Sequence, residues 1–335
     1  MPANIGEMFY FGEMPWHGLG YEVSKPLTVQ EALRAGRLDW DVEMIPLQTA
    51  EKPPSPALNR MAVVRKDRAA GHGGRVLGVI HNDFKPLQNR EGAIVFDAVF
   101  GKGKPVYHTG GYLKNGEVVW LLAALPKVLE ILSDDIVKPY VLFTNSHNGS
   151  VSIDFRLTTV RVVCQNTLSL ALSEGNVKTV FKHSHEGGYA TLQEEAEEFF
   201  QSTLAAVDAL EKIFKFMVKV PLRDDGMEEF VHRVFPDPKP PAVPKDSPSY
   251  RAYLTNRDNM QNARREIHRL SEEGKGADLK GVRGSLWGGF NAVTEYIDHH
   301  HWLGGNYMDS GLFGSKAALK RKAYQLAVTY LSKAA

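Results

Sequence analysis

The sequence predicts an α+β protein, with a largely antiparallel sheet built from hairpins, helices on one face of it, and a helical C-terminal region. Three observations carry that expectation. Two Asn-Gly pairs, Asn115-Gly116 and Asn148-Gly149, each stand between apolar strand patterns, and both residue types tolerate the positive φ that a tight hairpin turn demands. Around these two turns the order runs helix, strand, strand, strand, strand, helix, and consecutive strands joined by tight turns pair antiparallel. Beyond His183 the apolar spacing changes from a strand period to a helical one.

Met1 to Val23 is rich in glycine and aromatics and has no period, which predicts a packed irregular arm. Thr28 is placed to cap a short helix through Arg37, and Trp40 to Leu47 reads as a strand. A proline-punctuated loop, EKPPSPALNR, leads to two strands, Arg60 to Arg65 and Arg75 to Ile80, which pair across Gly71 to Gly74. Pro86 opens a helix that sets Ile94, Val95, Ala98 and Val99 on one face. The strand from Val118 to Leu125 is apolar on both faces, which places it mid-sheet. Tyr140 to Thr144 and Val151 to Thr159 form the second hairpin. Asn166 or Thr167 then caps an apolar helix to Leu172, and Val177 to His183 suits an edge strand.

Thr191 caps a long amphipathic helix with acidic residues in its first turn, where the helix dipole favours them. A shorter helix follows over Asp225 to Val234. The proline-rich stretch from Pro236 to Ser249 cannot be helix or central strand. Tyr250 to Glu273, Val282 to His301 and Leu312 to Ser332 each support a helix. The expected organisation is a sheet domain over residues 1–190, including the N-terminal arm, and a helical region over 191–335 interrupted by the loop at 236–249.

Composition bounds the function. The 335 residues carry 43% hydrophobic and 24% charged side chains and a net charge of +1, which excludes a wholly disordered chain and leaves any anion site to local clustering. One cysteine, Cys164, precludes an intrachain disulfide and a thiolate metal cluster. The first twenty residues lack a basic start followed by an apolar run, and no apolar stretch is long enough to span a bilayer. A cytoplasmic protein with no membrane partner is expected.

The densest polar stretch lies from Tyr140 to Leu172, where the turn carries Asn145, Ser146, His147 and Asn148 to a sheet edge. The start of the next helix brings Gln165, Asn166 and Thr167, and a helix N-terminus beside Arg156 and Arg161 suits a phosphate. The same amides and hydroxyls equally suit capping of the turn and the helix. Basic residues cluster again along Tyr250 to Arg283, with Arg264 and Arg265 at the centre, and in the last segment, where Lys316, Lys320, Arg321 and Lys322 lie among no acidic residue. Such runs form either a solvated face or a phosphate-tracking surface, to which Lys102 and Lys104 add.

Metal and nucleophile readings are weaker. Asp298, His299, His300 and His301 are consecutive and so point in different directions on a helix, although Glu295 and His299 have the i, i+4 spacing of a ligand pair. His183 and His185 alternate on one face of an edge strand, which suits either a metal or a polar surface. His17 sits beside Trp16 in a glycine-bounded loop, where packing is the expected role, and Cys164 follows two valines as a structural thiol does. No phosphate-loop, dinucleotide or nucleophile-elbow motif stands in the right context, so no cofactor is expected.

Three motifs in order, PWHGLG near the start, TNSHNGS followed by VRVVCQNTL in the middle, and LWGGFNAVTEYIDHH near the end, resemble the phage/plasmid-like protein family of bacterial mobile elements, a domain-of-unknown-function family. The resemblance implies a gene carried on prophages, plasmids or integrative elements and no defined reaction. The order helix, hairpin, hairpin, helix is similar to the core of single-strand annealing recombinases, an analogy of fold. That analogy implies a homo-oligomer holding single-stranded DNA in recombination, annealing or replication, without catalysis. Backbone neutralisation is then expected from Arg156, Arg161, Lys102 and Lys104, and hydrogen bonds from Asn145, Ser146, His147 and Asn166. The alternatives are a metal-dependent nucleic-acid-processing enzyme and a protein that binds a host defence or replication factor.

Overall fold

The computed structural model of the chain describes residues 5–12, 19–67, 76–100, 105–161, 166–169, 180–185, 189–222, 224–300 and 315–334. It is α+β, with antiparallel pairing dominating the sheets and a helical C-terminal region. The chain divides into two compact units, one of residues 1–127, 139–158 and 170–206, the other of 128–138, 159–169 and 207–335.

In the first unit the Asn-Gly hairpins set the sheet. β6 (Val106–Leu113) and β7 (Val118–Ala124) pair antiparallel across a 3-10 turn, in which Asn115 and Gly116 take φ of 61° and 111°. β7 then pairs with β9 (Asp135–Ser146), and β10 (Ile153–Arg161) follows beyond the Asn148-Gly149 turn. Val118, Val119, Trp120, Leu121 and Ala123 are all buried in β7, as a strand apolar on both faces requires when neighbours flank it.

The N-terminal segment departs from the irregular arm expected of it. β1 (Ile5–Phe11) joins the sheet antiparallel to β6, and β2 (Tyr21–Val23) lies parallel to β1. The glycines that hid the strand pattern are in β6, where Gly111 pairs with Met8 so closely that an added Cβ would lie 2.3 Å from the Glu7 carbonyl oxygen. A separate three-stranded sheet holds β3 (Val42–Gln48), β4 (Pro56–Arg65) and β5 (Val76–His81). The edge strand is β12 (Val180–His183), paired with β10.

α1 (Val29–Ala35) starts at Thr28 with a full capping box to Glu31. This arrangement holds the Glu31 carboxyl well down, at about 2, chiefly through the Thr28 backbone N–H and then the Lys25 ammonium. α2 (Asn89–Val99) turns a different face inward from the expected one. Asn89, Gly92, Ala93, Phe96 and Val99 are buried, whereas Ile94 is 53% exposed. Phe96 decides the rotation, because it stacks on Phe143 and meets Phe155, Phe100 and Tyr107. The first half of α3 (Leu192–Lys219) continues that aromatic core through Phe199 and Phe200.

In the second unit, β8 (Leu129–Leu132) forms a hairpin with the start of β9. The helix expected from Asn166 or Thr167 is corrected, since Asn166–Ser169 is strand β11. Threonine is enriched in strands and a poor helix former, a preference that outweighs the capping signal in this sequence. The second half of α3, α4 (Asp224–Val234), α5 (Pro248–Glu273), α6 (Leu286–Glu295) and α7 (Ser315–Ala334) make up the helices, and a single π turn, Tyr296–His300, ends α6. Trp287, Phe214, Phe290 and Tyr324 form the aromatic core here.

Candidate functional site

The polar stretch that dominates the sequence folds inward. Thr144, Asn145, Ser146 and His147 are at most 1% exposed. His147 Nε2–H donates to Asn89 Oδ1 at 2.9 Å, and Asn89 Nδ2 donates to the carbonyls of Leu38 and Trp40 at 3.0 and 3.3 Å. Asn145 Nδ2 donates to the Leu87 carbonyl at 3.1 Å. This network ties the start of α2, with the loop before it, and the segment between α1 and β3 to the end of β9 and its turn. Burial, with smaller contributions from His185 and Arg65, lowers the His147 pKa to about 3, so the ring is neutral. Ser146 and Asn148 shape the turn itself: the Ser146 hydroxyl bonds Val151, Asn148 Oδ1 accepts from the Ser150 N–H at 3.0 Å, and Asn148 Nδ2 donates to Glu117 at 2.8 Å. The capping alternative describes these side chains.

The arginines are withdrawn too. Arg156 is 5% exposed and makes a two-pronged contact with Asp154 at 2.7 and 2.6 Å. Arg161, 3% exposed, grips Asp135 in the same way, and Trp287 Nε1–H donates to that carboxylate at 2.8 Å. Neither guanidinium faces water, where a phosphate backbone would meet it. The fork geometry that makes arginine a phosphate ligand is here used on a buried carboxylate. Asn166 lies in β11, and Lys102 and Lys104, with Cys164, Gln165, His17 and His301, lie outside the described residues.

Basic residues of the helical unit are largely neutralised locally. Arg264 bonds Asp237 at 2.8 Å and the Phe235 carbonyl at 2.9 Å, Arg265 bonds Asn262, and Arg269 bridges Glu266 and Glu273. Lys320 is buried against Asp298 at 2.8 Å. Burial lowers the pKa of Lys316 while Asp298 opposes the shift and Lys320 adds to it. In the Asp298 to His300 run, Asp298 is held by Lys320, and His300 Nδ1 lies 3.5 Å from Glu266. Among the described residues, no group of three or more His, Cys, Asp or Glu is arranged to hold a metal ion.

Among the described residues of the sheet unit, two grooves open to solvent at the two ends of the segment Phe84–Arg90. A groove of about 490 Å³ is lined by Ile80, His81, Phe84, Gly149, Val151, Ser152, His183, Ser184 and His185. Its walls are the end of β5, the Asn148-Gly149 turn and the end of β12. The turn can approach β5 because residue 78 is glycine, where a Cβ would come within 2.6 Å of Asn148 Cβ. Phe84 stacks on His185, with ring centroids 4.5 Å apart and planes at 25°. His185 Nδ1–H donates to the Lys85 carbonyl at 3.1 Å, while the Lys85 N–H donates to the His185 carbonyl at 3.0 Å. Tyr189 OH also bonds the Lys85 carbonyl. The His185 pKa is lowered, first by burial and then by His183, against the pull of the Lys85 and Val151 backbone. At the other end, a groove of about 290 Å³ between α1 and α2 is lined by Val29, Gln30, Leu33, Arg34, Asp39, Arg90 and Ile94. Arg34, Lys85 and Arg90 are exposed.

The sequence singled out His183 and His185 but gave no reason to join them to His81 and Phe84. The histidines lie about a hundred positions apart in the chain, and the junction depends on β12 pairing with β10 beside the turn. Among the described residues no helix is long and apolar enough to cross a membrane. No curated protein and no solved structure matches the chain. Residues 76–324 match a family described as a domain of unknown function, DUF932. That match takes in both the turn and β12 of the larger groove and the whole helical core through Tyr324. It covers most of the chain, which therefore belongs to the DUF932 family.

Proposed function

We propose that this chain is a mobile-element protein that binds single-stranded DNA without a catalytic step, in support of recombination, annealing or replication. The mobile-element origin and the likeness to annealing recombinases rest on the motifs and on the order of the elements. The binding reading rests on one observation, the pair of grooves at either end of Phe84–Arg90. One is lined by imidazoles and an aromatic ring, and the other by two outward arginines, with Lys85 exposed between them. A single strand needs both kinds of surface, cations that follow its phosphates and flat side chains that take its bases. Backbone neutralisation is therefore assigned to Arg34, Lys85 and Arg90 in place of Arg156 and Arg161, whose charges are spent on buried carboxylates.

Fluorescence anisotropy with labelled single-stranded and duplex DNA over a salt series tests the reading. Preferential, salt-sensitive binding of the single strand that ignores chelator is expected, with a shallower salt slope for Arg34→Ala combined with Arg90→Ala. Absence of binding to either DNA sinks it and directs attention to protein partners of the host.

A further inference from the structure

We propose that the groove between α1 and α2 docks a peptide segment of a partner protein, one that carries carboxylates beside a branched aliphatic residue. The inference goes beyond the single-strand reading, with which it shares Arg34 and Arg90. Its first support is the mixture of the lining. Val29, Leu33 and Ile94 supply an aliphatic surface, and Arg34 and Arg90 supply two guanidinia. Ile94 is 53% exposed on a helix whose Phe96 and Val99 are buried. Spacing makes the two kinds of side chain one surface: Gln30 and Arg34 lie one turn apart on α1, and Arg90 and Ile94 one turn apart on α2. A strand of nucleic acid would use the guanidinia and leave the aliphatic side chains bare, because no aromatic ring is among the lining residues for a base to stack on.

The second support is charge left uncommitted. Among the described residues neither Arg34 nor Arg90 is held in an ion pair, and Asp39 at the same groove is likewise unpaired. Arg156 and Arg161, by contrast, are each gripped by a buried carboxylate. A free guanidinium fork takes a carboxylate through two parallel N–H bonds. Asp39 adds a complementary demand, since an ionised carboxyl only accepts and so calls for donors on the ligand. A phosphodiester or a fatty-acid anion brings negative charge and no donor. A peptide brings both, carboxylates on its side chains and N–H groups along its backbone. Gln30, whose amide donates and accepts, can pair with either side of a peptide unit.

Size limits the ligand further. At about 290 Å³ the groove holds a few side chains rather than a helix or a domain. The fitting occupant is an extended segment with one aliphatic residue seated on Leu33 and Ile94 and acidic neighbours reaching Arg34 and Arg90. Such a segment and single-stranded DNA compete for the same two arginines, so the partner displaces the strand.

The test measures anisotropy of the full chain with a labelled peptide that alternates Glu and Leu, with a peptide of the same length made of Glu alone, and with one in which Gln replaces Glu. Octanoate and unlabelled oligothymidylate serve as competitors. The expected result is binding of the Glu-Leu peptide about tenfold or more tighter than either control, displacement by oligothymidylate, and little displacement by octanoate. Ile94→Ala, at an exposed position, should weaken the Glu-Leu peptide about fivefold and leave oligothymidylate binding unchanged. Arg34→Ala combined with Arg90→Ala should weaken both. Equal binding of either control peptide, unchanged peptide affinity in Ile94→Ala, octanoate as an equal competitor, or simultaneous binding of peptide and strand would each overturn the inference. Peptide binding by a chain that ignores DNA keeps the inference and sinks the single-strand reading, and DNA binding without peptide binding does the reverse.

Discussion

Two histidine sites, both held by the β9–β10 turn region, differ in how their polar groups are satisfied. His147 and Asn89 form a sealed network in which ring and amide hold three parts of the sheet unit together, and nothing of it reaches water. His81, His183 and His185 line an open groove on the other side of the Asn148-Gly149 turn. Chain proximity therefore says little about role. Within a dozen residues, Thr144 to His147 go to the interior while Gly149 to Ser152 form a wall. What separates them is burial: Asn145 donates to the Leu87 carbonyl and His147 to Asn89 inside the sheet unit, whereas Gly149 to Ser152 stay half-buried or exposed. The sealed site should govern stability, and the open one binding.

The sharpest way to break that division is to cut a buried ion pair. Arg156→Ala leaves Asp154 as an uncompensated charge at 0% exposure, and a loss of about 3 to 5 kcal/mol is expected in urea unfolding. The double change Asp154→Leu with Arg156→Met should recover most of it, because removing both charges also removes the desolvation cost. A folded Arg156→Ala protein of native stability that has lost DNA binding would restore the arginine to the interface and collapse the distinction between interior and groove.

The neutral His147 gives the sealed site a pH signature. Its folded pKa of about 3 lies below the value of about 6.5 expected for the unfolded chain, so the unfolded state binds the proton more readily. The stabilisation is complete above about pH 6.5 and is lost as pH falls toward 3, at up to about 1.4 kcal/mol per unit. Replacing His147 with Gln, which keeps a donor for Asn89, should lower stability at neutral pH and flatten that slope. Urea midpoints at several pH values read both effects, and an unchanged slope would show that another group titrates.

Much of the frame was legible from local signals. The Asn-Gly turns, the Thr28 cap and the all-apolar β7 each express a constraint that acts within a few residues. What stayed hidden depended on distant partners. β1 carries no alternation because its neighbour β6 supplies two glycines, Gly110 and Gly111, in place of side chains. α2 rotates because Phe96 has an aromatic cluster to join. Arg156 reads as a phosphate ligand until Asp154, two residues away on the same face of the strand, occupies its fork. The groove needs His81 and His183 to meet, and no spacing rule brings them together. His81→Ala, at a groove side chain 48% exposed, should accordingly stay within about 0.5 kcal/mol of the parent in stability while weakening single-strand binding, the reverse of the Arg156 outcome. A destabilised His81→Ala with intact binding would exchange the roles of the two sites.

The smallest effect separates cost from use inside the sheet. Thr144 and Trp120 are cross-strand neighbours between β9 and β7, and Thr144 Oγ1 and Trp120 Nε1 are both buried and without a hydrogen-bond partner among the described residues. Phe143 and Phe155 face each other on the α2 side, so alternation along the strands puts Thr144 on the opposite side, the face that also carries Asp154 and Arg156. An unmet hydroxyl there contributes nothing that a methyl of the same shape would not. Thr144→Val is expected to leave the fold unchanged or to stabilise it by up to about 1 kcal/mol, read as a rise in urea midpoint at constant slope. If it destabilises instead, the hydroxyl has a bond that forms in solution. The sealed interior would then extend across both faces of β9, and the contrast with the groove would become one between a whole strand and its turn.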